Sequence, residues 1–110
     1  MEIKTIGVAG AGTMGGGIAQ VVAQAGFEVF LLDISDALVE GSVERIEKGL
    51  AKNVDRGKLS SGEMGEILKR IHPTTQVEDF RNANLVIEAV FEDFKFKTEL
   101  LLLKDNINAA

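Results

Sequence analysis

The stretch Ile6-Gly7-Val8-Ala9-Gly10-Ala11-Gly12-Thr13-Met14-Gly15 decides the fold of this 110-residue chain. It opens as an apolar run of strand type, breaks at a G-x-G-x-x-G hexapeptide and continues with helical periodicity. Six of the chain's 12 glycines lie between Gly7 and Gly17. Such a hexapeptide arises easily by chance in a glycine-rich chain, so its context decides. It follows a predicted strand over residues 3–9, nearly continuous in apolar character from Ile6, as in a strand buried on both faces. It opens a predicted helix over 13–25, with Ile18, Val21, Val22 and Ala25 at helical spacing and Gly26 as its stop. A second apolar run, 29–32, ends at Asp33, 18 residues beyond Gly15.

Each position in this arrangement has a physical role. Gly10 permits a tight turn out of the strand. Gly12 lacks a Cβ, so a pyrophosphate can reach the backbone N–H groups and the positive dipole where the helix starts. Ala11, Thr13 and Met14 complete the candidate phosphate loop, and Gly15 lets the helix pack closely on the strand. Asp33 is placed to accept hydrogen bonds from both hydroxyls of an adenosine ribose. Its charge repels a 2′-phosphate, and Ile34, Ser35 and Asp36 bring no cation to reverse that, so NAD is favoured over NADP. The plainer alternative is a glycine turn with no ligand, followed by a helix-capping aspartate.

Further along, Ser35 is a plausible N-cap for a long amphipathic helix with Val39, Val43, Ile46, Leu50 and Val54 on its inner face. Ser60-Ser61-Gly62-Glu63 is a capping box, with Leu59 and Met64 as its hydrophobic staple. The helix it opens carries Met64, Ile67, Leu68 and Ile71 and ends at His72-Pro73, leaving His72 in a loop. Residues 73–76 form a short edge-strand candidate and 85–90 a buried-strand candidate, and a helix over 92–108 presents Phe96, Leu100, Leu103 and Ile107. Strands alternating with helices imply an α/β fold, a Rossmann-type parallel sheet with helices on both faces. With about four strands against six in a full dinucleotide fold, residues 1–110 make one incomplete domain.

Composition excludes other classes. The chain is 45% hydrophobic, and no apolar run approaches the roughly 20 residues of a membrane span. It has no cysteine, hence no disulfide and no thiolate nucleophile or metal ligand. A net charge of −5 argues against nucleic acid. Met1-Glu2-Ile3-Lys4 runs straight into the first strand and leaves no room for a signal peptide, which points to the cytoplasm.

The glycine stretch continues into Gly17-Ile18-Ala19-Gln20. Together with Asp33-Ile34-Ser35, Arg70-Ile71-His72-Pro73-Thr74-Thr75 and Leu85-Val86-Ile87-Glu88-Ala89-Val90-Phe91-Glu92, it resembles the 3-hydroxyacyl-CoA dehydrogenase family. The likeness covers nearly the whole chain and corresponds to the first part of that family's NAD-binding domain. It implies an oxidoreductase of fatty-acid or butanoate-type metabolism, passing hydride between a 3-hydroxyacyl-CoA and NAD. It implies that residues 10–15 hold the pyrophosphate, Asp33 the ribose, and Ala89, Glu92 and Lys97 the nicotinamide side. From the residues alone, Glu92 reads equally as a first-turn acid and Lys97 as a solvated amine. Glu88, set among apolar neighbours, lies either at the exposed C-terminal end of its strand or in an internal pair.

Lys48, Lys52 and Arg56 form a basic row that reads as a solvated face, whereas the resemblance suggests coenzyme A contact by Arg56. The family's catalytic His, its Glu partner, a Ser and an Asn all fall downstream of these residues, as does a helical second domain. The chain is therefore expected to bind cofactor more readily than it catalyses. Residues 85–90 as an apolar sheet edge, and the four leucines at 100–103, point to self-association. Two readings stay open beside this one: another NAD-dependent β-hydroxyacid dehydrogenase, and a stand-alone nucleotide-binding module.

Overall fold

A computed structural model of the chain describes residues 3–89. The readings that fall later, namely the 92–108 helix, Glu92, Lys97 and the leucines at 100–103, lie outside the described residues. In chain order the elements are β1 (Thr5–Ala9), α1 (Thr13–Gln24), β2 (Glu28–Leu32), α2 (Asp36–Asp55), α3 (Ser61–Lys69), β3 (Ile71–Thr74), a 3-10 helix (Val77–Asn82) and β4 (Leu85–Glu88).

The four strands are parallel and lie in the order β3-β2-β1-β4. Strand β1 is central: Val8 faces Leu31 of β2 on one side and Ile87 of β4 on the other. Asn84 pins the start of β4 to β1, its Oδ1 accepting from the amides of Lys4 (2.8 Å) and Thr5 (3.0 Å). The chain leaves β1 toward β2 and β3 but returns to its other flank at β4. The crevice beyond the C-terminal ends of β1 and β4 is thus a topological switch point, where open α/β sheets bind ligands.

Strand alternation sends side chains to two separate cores. Ile6, Val8, Val29, Leu31 and Ile71 pack with Ala19, Ala23, Val39, Ile46, Leu50 and Ile67 from the three α-helices. Each fully buried side chain of the size of Val8, Leu31 or Leu50 contributes about 1.5–3 kcal/mol relative to exposure. On the opposite face, Ala9 and Leu32 lie under Phe80 of the 3-10 helix, with Phe30, Val77 and Val86 around them. Gly7 makes room there: a Cβ at Gly7 would stand 3.0 Å from the Phe80 ring.

The helix signals hold where they rest on capping chemistry. Ser35 Oγ accepts from the Leu38 amide (3.3 Å) at the start of α2. Both bonds of the Ser60–Glu63 capping box are present at α3, and Gly26 takes φ +102° just past α1.

Three expectations are corrected. The buried face of α1 is Gly15, Gly16, Ala19 and Ala23, while Val21 is 66% exposed and Ala25 is exposed. A helix brought this close to both strand and neighbouring helix has no space for branched side chains along that stripe. Helix α3 stops at Lys69, so Ile71 and His72 belong to β3 rather than to a helix end and a loop. Pairing with β2 overrides the helical pattern there, and the His72 ring stacks on Phe30 (centroids 5.0 Å apart) while its Nε2–H donates to Glu28 Oε1 (2.8 Å). The edge strand runs from Ile71 to Thr74 instead of 73–76, and the 3-10 helix was not foreseen at all.

Candidate functional site

At the C-terminal end of β1 the chain turns through Gly10, whose φ of +101° is a left-handed value that suits glycine. The Gly10 amide continues the sheet pattern by donating to Leu32 O (2.8 Å). Gly15, five residues on, packs so tightly that a Cβ would stand 1.5 Å from Gly10 O and 3.4 Å from the Ala89 side chain. Gly16 is also close-packed, though less severely, because its Cβ would meet the Ser42 Oγ side-chain atom of α2 at 2.4 Å. Gly12 and Gly17, by contrast, have nothing within 4 Å of such a carbon. The glycine run thus divides into residues that let helices touch and a residue, Gly12, that leaves the top of the loop open.

Helix α1 begins with Gly12 as its N-cap, without a side-chain cap bond and without an acidic residue in its first turn. Its first amides therefore present donors and the positive end of the helix dipole toward the open side. Asp33, directly after β2, is half-buried and faces the same loop. Its Oδ2 accepts from the Ala11 amide (2.8 Å) and its Oδ1 from the Ile34 amide (2.7 Å). A carboxylate offers about four acceptor directions, so two backbone bonds leave room for a pair of sugar hydroxyls. Ala89 adds its amide to Ala9 O (2.8 Å) and is buried beside Gly15.

Residues 10–15, Asp33 and Ala89, singled out separately in the sequence, converge on one place. Arg56 does not join them. It is the C-cap of α2, a 20-residue helix, and stands roughly 30 Å along it from the Asp33 end. Along the basic row, Lys48 pairs with Glu44 (3.4 Å) on an exposed face. Glu88 ends β4 opposite Ala9, at the C-terminal edge, half-buried rather than exposed.

One contact escaped the sequence reading. Arg45, 34 residues from Ala11, donates from Nη2 to Ala11 O (3.2 Å). The pattern that could have found it is helical: Ser42, Ile46 and Gly49 turn toward α1, and Arg45 falls on the flank of that stripe. Thr13, Gly16, Ser42 and Arg45 share a cavity of about 140 Å³ between α1 and α2. Among the described residues no group of three or more His, Asp or Glu side chains could hold a metal ion, and no helix is long and apolar enough to cross a membrane.

These features fit a dinucleotide: an open glycine at an uncapped helix start, and a carboxylate with spare acceptors at the adjacent strand end. Comparison with known proteins agrees. A probable 3-hydroxybutyryl-CoA dehydrogenase of Bacillus subtilis is 41% identical over 107 residues, covering 97% of this chain and 37% of the relative. A fatty acid oxidation complex subunit alpha of Psychrobacter arcticus is 41% identical over 110 residues, covering 96% of this chain and 15% of the relative. The crystal structure of (S)-3-hydroxybutyryl-CoA dehydrogenase from Ralstonia eutropha superposes with a TM-score of 0.92 at 38% identity, covering 96% of this chain and 38% of that one. The chain thus spans little more than a third of even the shorter of these relatives. Residues 5–109 match the model of the 3-hydroxyacyl-CoA dehydrogenase NAD-binding domain; the chain belongs to that family, and its cofactor is NAD.

Proposed function

We propose that the amides of residues 10–15 hold the NAD pyrophosphate, that Asp33 holds the adenosine ribose, and that the chain serves a dehydrogenase acting on 3-hydroxyacyl-CoA. The observation that carries the site assignment is the bond from the Ala11 amide to Asp33 Oδ2, which makes phosphate loop and ribose acid one unit. Bound NAD exchanges a hydride with substrate. The residues described bind and orient it: Gly12, Thr13 and Met14 at the open helix start, Gly15 and Ala89 as the wall beneath, and Asp33 at the sugar.

Glu92 and Lys97 are assigned by resemblance to the nicotinamide side, and Arg56 to coenzyme A. The exposed C-terminal position of Arg56 on α2 is compatible with a ligand distinct from NAD. The chemical step on the hydroxyl is assigned, by resemblance alone, to a His–Glu pair that the family carries downstream of the positions matched here. His72 is committed to Glu28 and Phe30. The reading extends to a cytoplasmic setting and to self-association through β4, an edge of the described sheet whose Leu85 is 44% exposed.

The chain has no Trp or Tyr, so NADH fluorescence can be followed against little protein background. Asp33→Ala should weaken NADH binding about 10- to 100-fold, the loss expected for hydrogen bonds to a charged acceptor, without unfolding the protein. Unchanged affinity in this variant would remove the ribose role. Fluorescence of both NADH and NADPH left unaltered by the wild-type chain would remove the binding assignment.

A further inference from the structure

We propose that Arg45 is a positioning residue for the phosphate-binding face of the glycine loop. The inference rests on the dinucleotide reading above and adds to it the group that aims the loop.

Ala11 is gripped on both of its peptide planes. Its N–H, in the plane shared with Gly10, donates to Asp33 Oδ2 (2.8 Å). Its C=O, in the plane shared with Gly12, accepts from Arg45 Nη2 (3.2 Å). No peptide bond among the described residues is cis. In a trans peptide the C=O of one residue and the N–H of the next point in opposite directions. Drawing Ala11 O toward α2 therefore turns the Gly12 N–H away from α2. Gly12 is exposed, and nothing lies within 4 Å of the position its Cβ would take.

Without this grip the plane has little to fix it. Gly10 and Gly12 flank Ala11, and glycine rotates more freely than any other residue. Helix α1 has no side-chain cap to hold its first turn. Gly15 against Gly10 O, Gly16 against Ser42 and the bond from the Gly16 amide to Gly12 O (2.9 Å) set the helix and the planes on either side, and at the Ala11–Gly12 plane itself the side-chain contact is that of Arg45. Side chains on a helix lean toward its N-terminus, which lets Arg45 reach back along α2 to the loop. Gly41 leaves that path clear: even a Cβ there would stand 3.7 Å from Arg45 Nη1.

The experiment compares wild-type, R45M and R45K chains for binding of NADH by fluorescence and of ADP and adenosine by calorimetry. NADH and ADP present a pyrophosphate to the loop, whereas adenosine presents only the sugar and base. R45M should raise Kd for NADH and ADP about tenfold, the scale of one charge-assisted hydrogen bond, and for adenosine less than about twofold. R45K, which keeps a donor of similar reach, should recover most of the loss. Equal weakening of all three ligands in both variants would overturn the proposal, as would unchanged NADH affinity in R45M. So would a loss that vanishes in about 1 M salt, where screening acts within ~3 Å, because Arg45 would then be a remote charge. A wild-type chain that ignores NADH, ADP and adenosine alike defeats the dinucleotide reading first, and the Arg45 role with it.

Discussion

Two helix starts in this molecule meet opposite fates. At α3, Ser60 Oγ accepts from the Glu63 amide (3.1 Å) and Glu63 Oε1 accepts from the Ser60 amide (3.0 Å), so the chain satisfies its own donors. At α1, Gly12 supplies no side chain, the first turn holds no acid, and the donors stay available. A cleft of about 630 Å³ borders the α3 start, lined by Ser60, Glu63, Glu66 and Arg70, whereas the cavity beside α1 measures about 140 Å³. Volume therefore misdirects here. What marks an anion site is an open helix terminus, and the larger cleft sits at a sealed one.

The sharpest way to break this contrast is to close the packing beneath the open terminus. Gly15→Ala forces a carbon to within 1.5 Å of a backbone oxygen, which no side-chain rotation relieves. It should cost about 3 kcal/mol or more by urea denaturation and abolish NADH binding, while Gly17→Ala, in open space, should stabilise by up to about 1 kcal/mol. A Gly15→Ala chain as stable as wild type would refute the close approach of α1 to β1.

Gly12→Asp instead converts the start of α1 into something like that of α3. A Cβ at this position meets nothing within 4 Å, and the Gly12 backbone is already extended (φ −72°, ψ −166°). It should add a few tenths of a kcal/mol of stability as an N-cap and reduce NADH affinity by tenfold or more through repulsion of the pyrophosphate. Undiminished affinity would mean that the phosphates do not sit at this helix end.

The smallest effect comes from opening the sealed terminus. Ser60→Ala should cost about 1 kcal/mol of stability and leave NADH binding unchanged. The Ser60 amide first, and then the Ser60 side chain, hold the Glu63 carboxyl below its usual value. A carboxyl lowered in the folded state stabilises above its ordinary range, and the gain disappears as pH falls through the lowered value. Acid titration of unfolding should thus show a contribution that Ser60→Ala diminishes, since the variant keeps the amide bond to Glu63 and loses only the side-chain share, and superimposable acid profiles would count against that side-chain share.

The sequence made the capped ends legible because capping is local: Ser35, Ser60, Glu63 and Gly26 act on amides or turns within a few residues. The alternation of strands and helices along the chain, the loop at 10–15 and the place of Asp33 beside it were legible because a fixed spacing ties them together. Ile71 and His72 were misread because an apolar stripe at helical period looks the same whether a helix or a pairing strand claims its last residue. The small-residue face of α1, the bed of Gly7 under Phe80 and the reach of Arg45 all join positions far apart in the chain. No periodicity within one segment announces such contacts.

Pro73 has a consequence of a different kind. The amides of Val29 and Asp33 donate to Arg70 O and Thr74 O, so alternate residues of β3 turn inward to β2 and Pro73 faces the free side of the strand. A proline there has no N–H to offer. A newcomer aligning on that side would find one rung of its ladder missing. Among the described residues the β3 flank is thus the poorer template for a further strand, and the β4 flank is the one on which a dinucleotide fold adds its later strands.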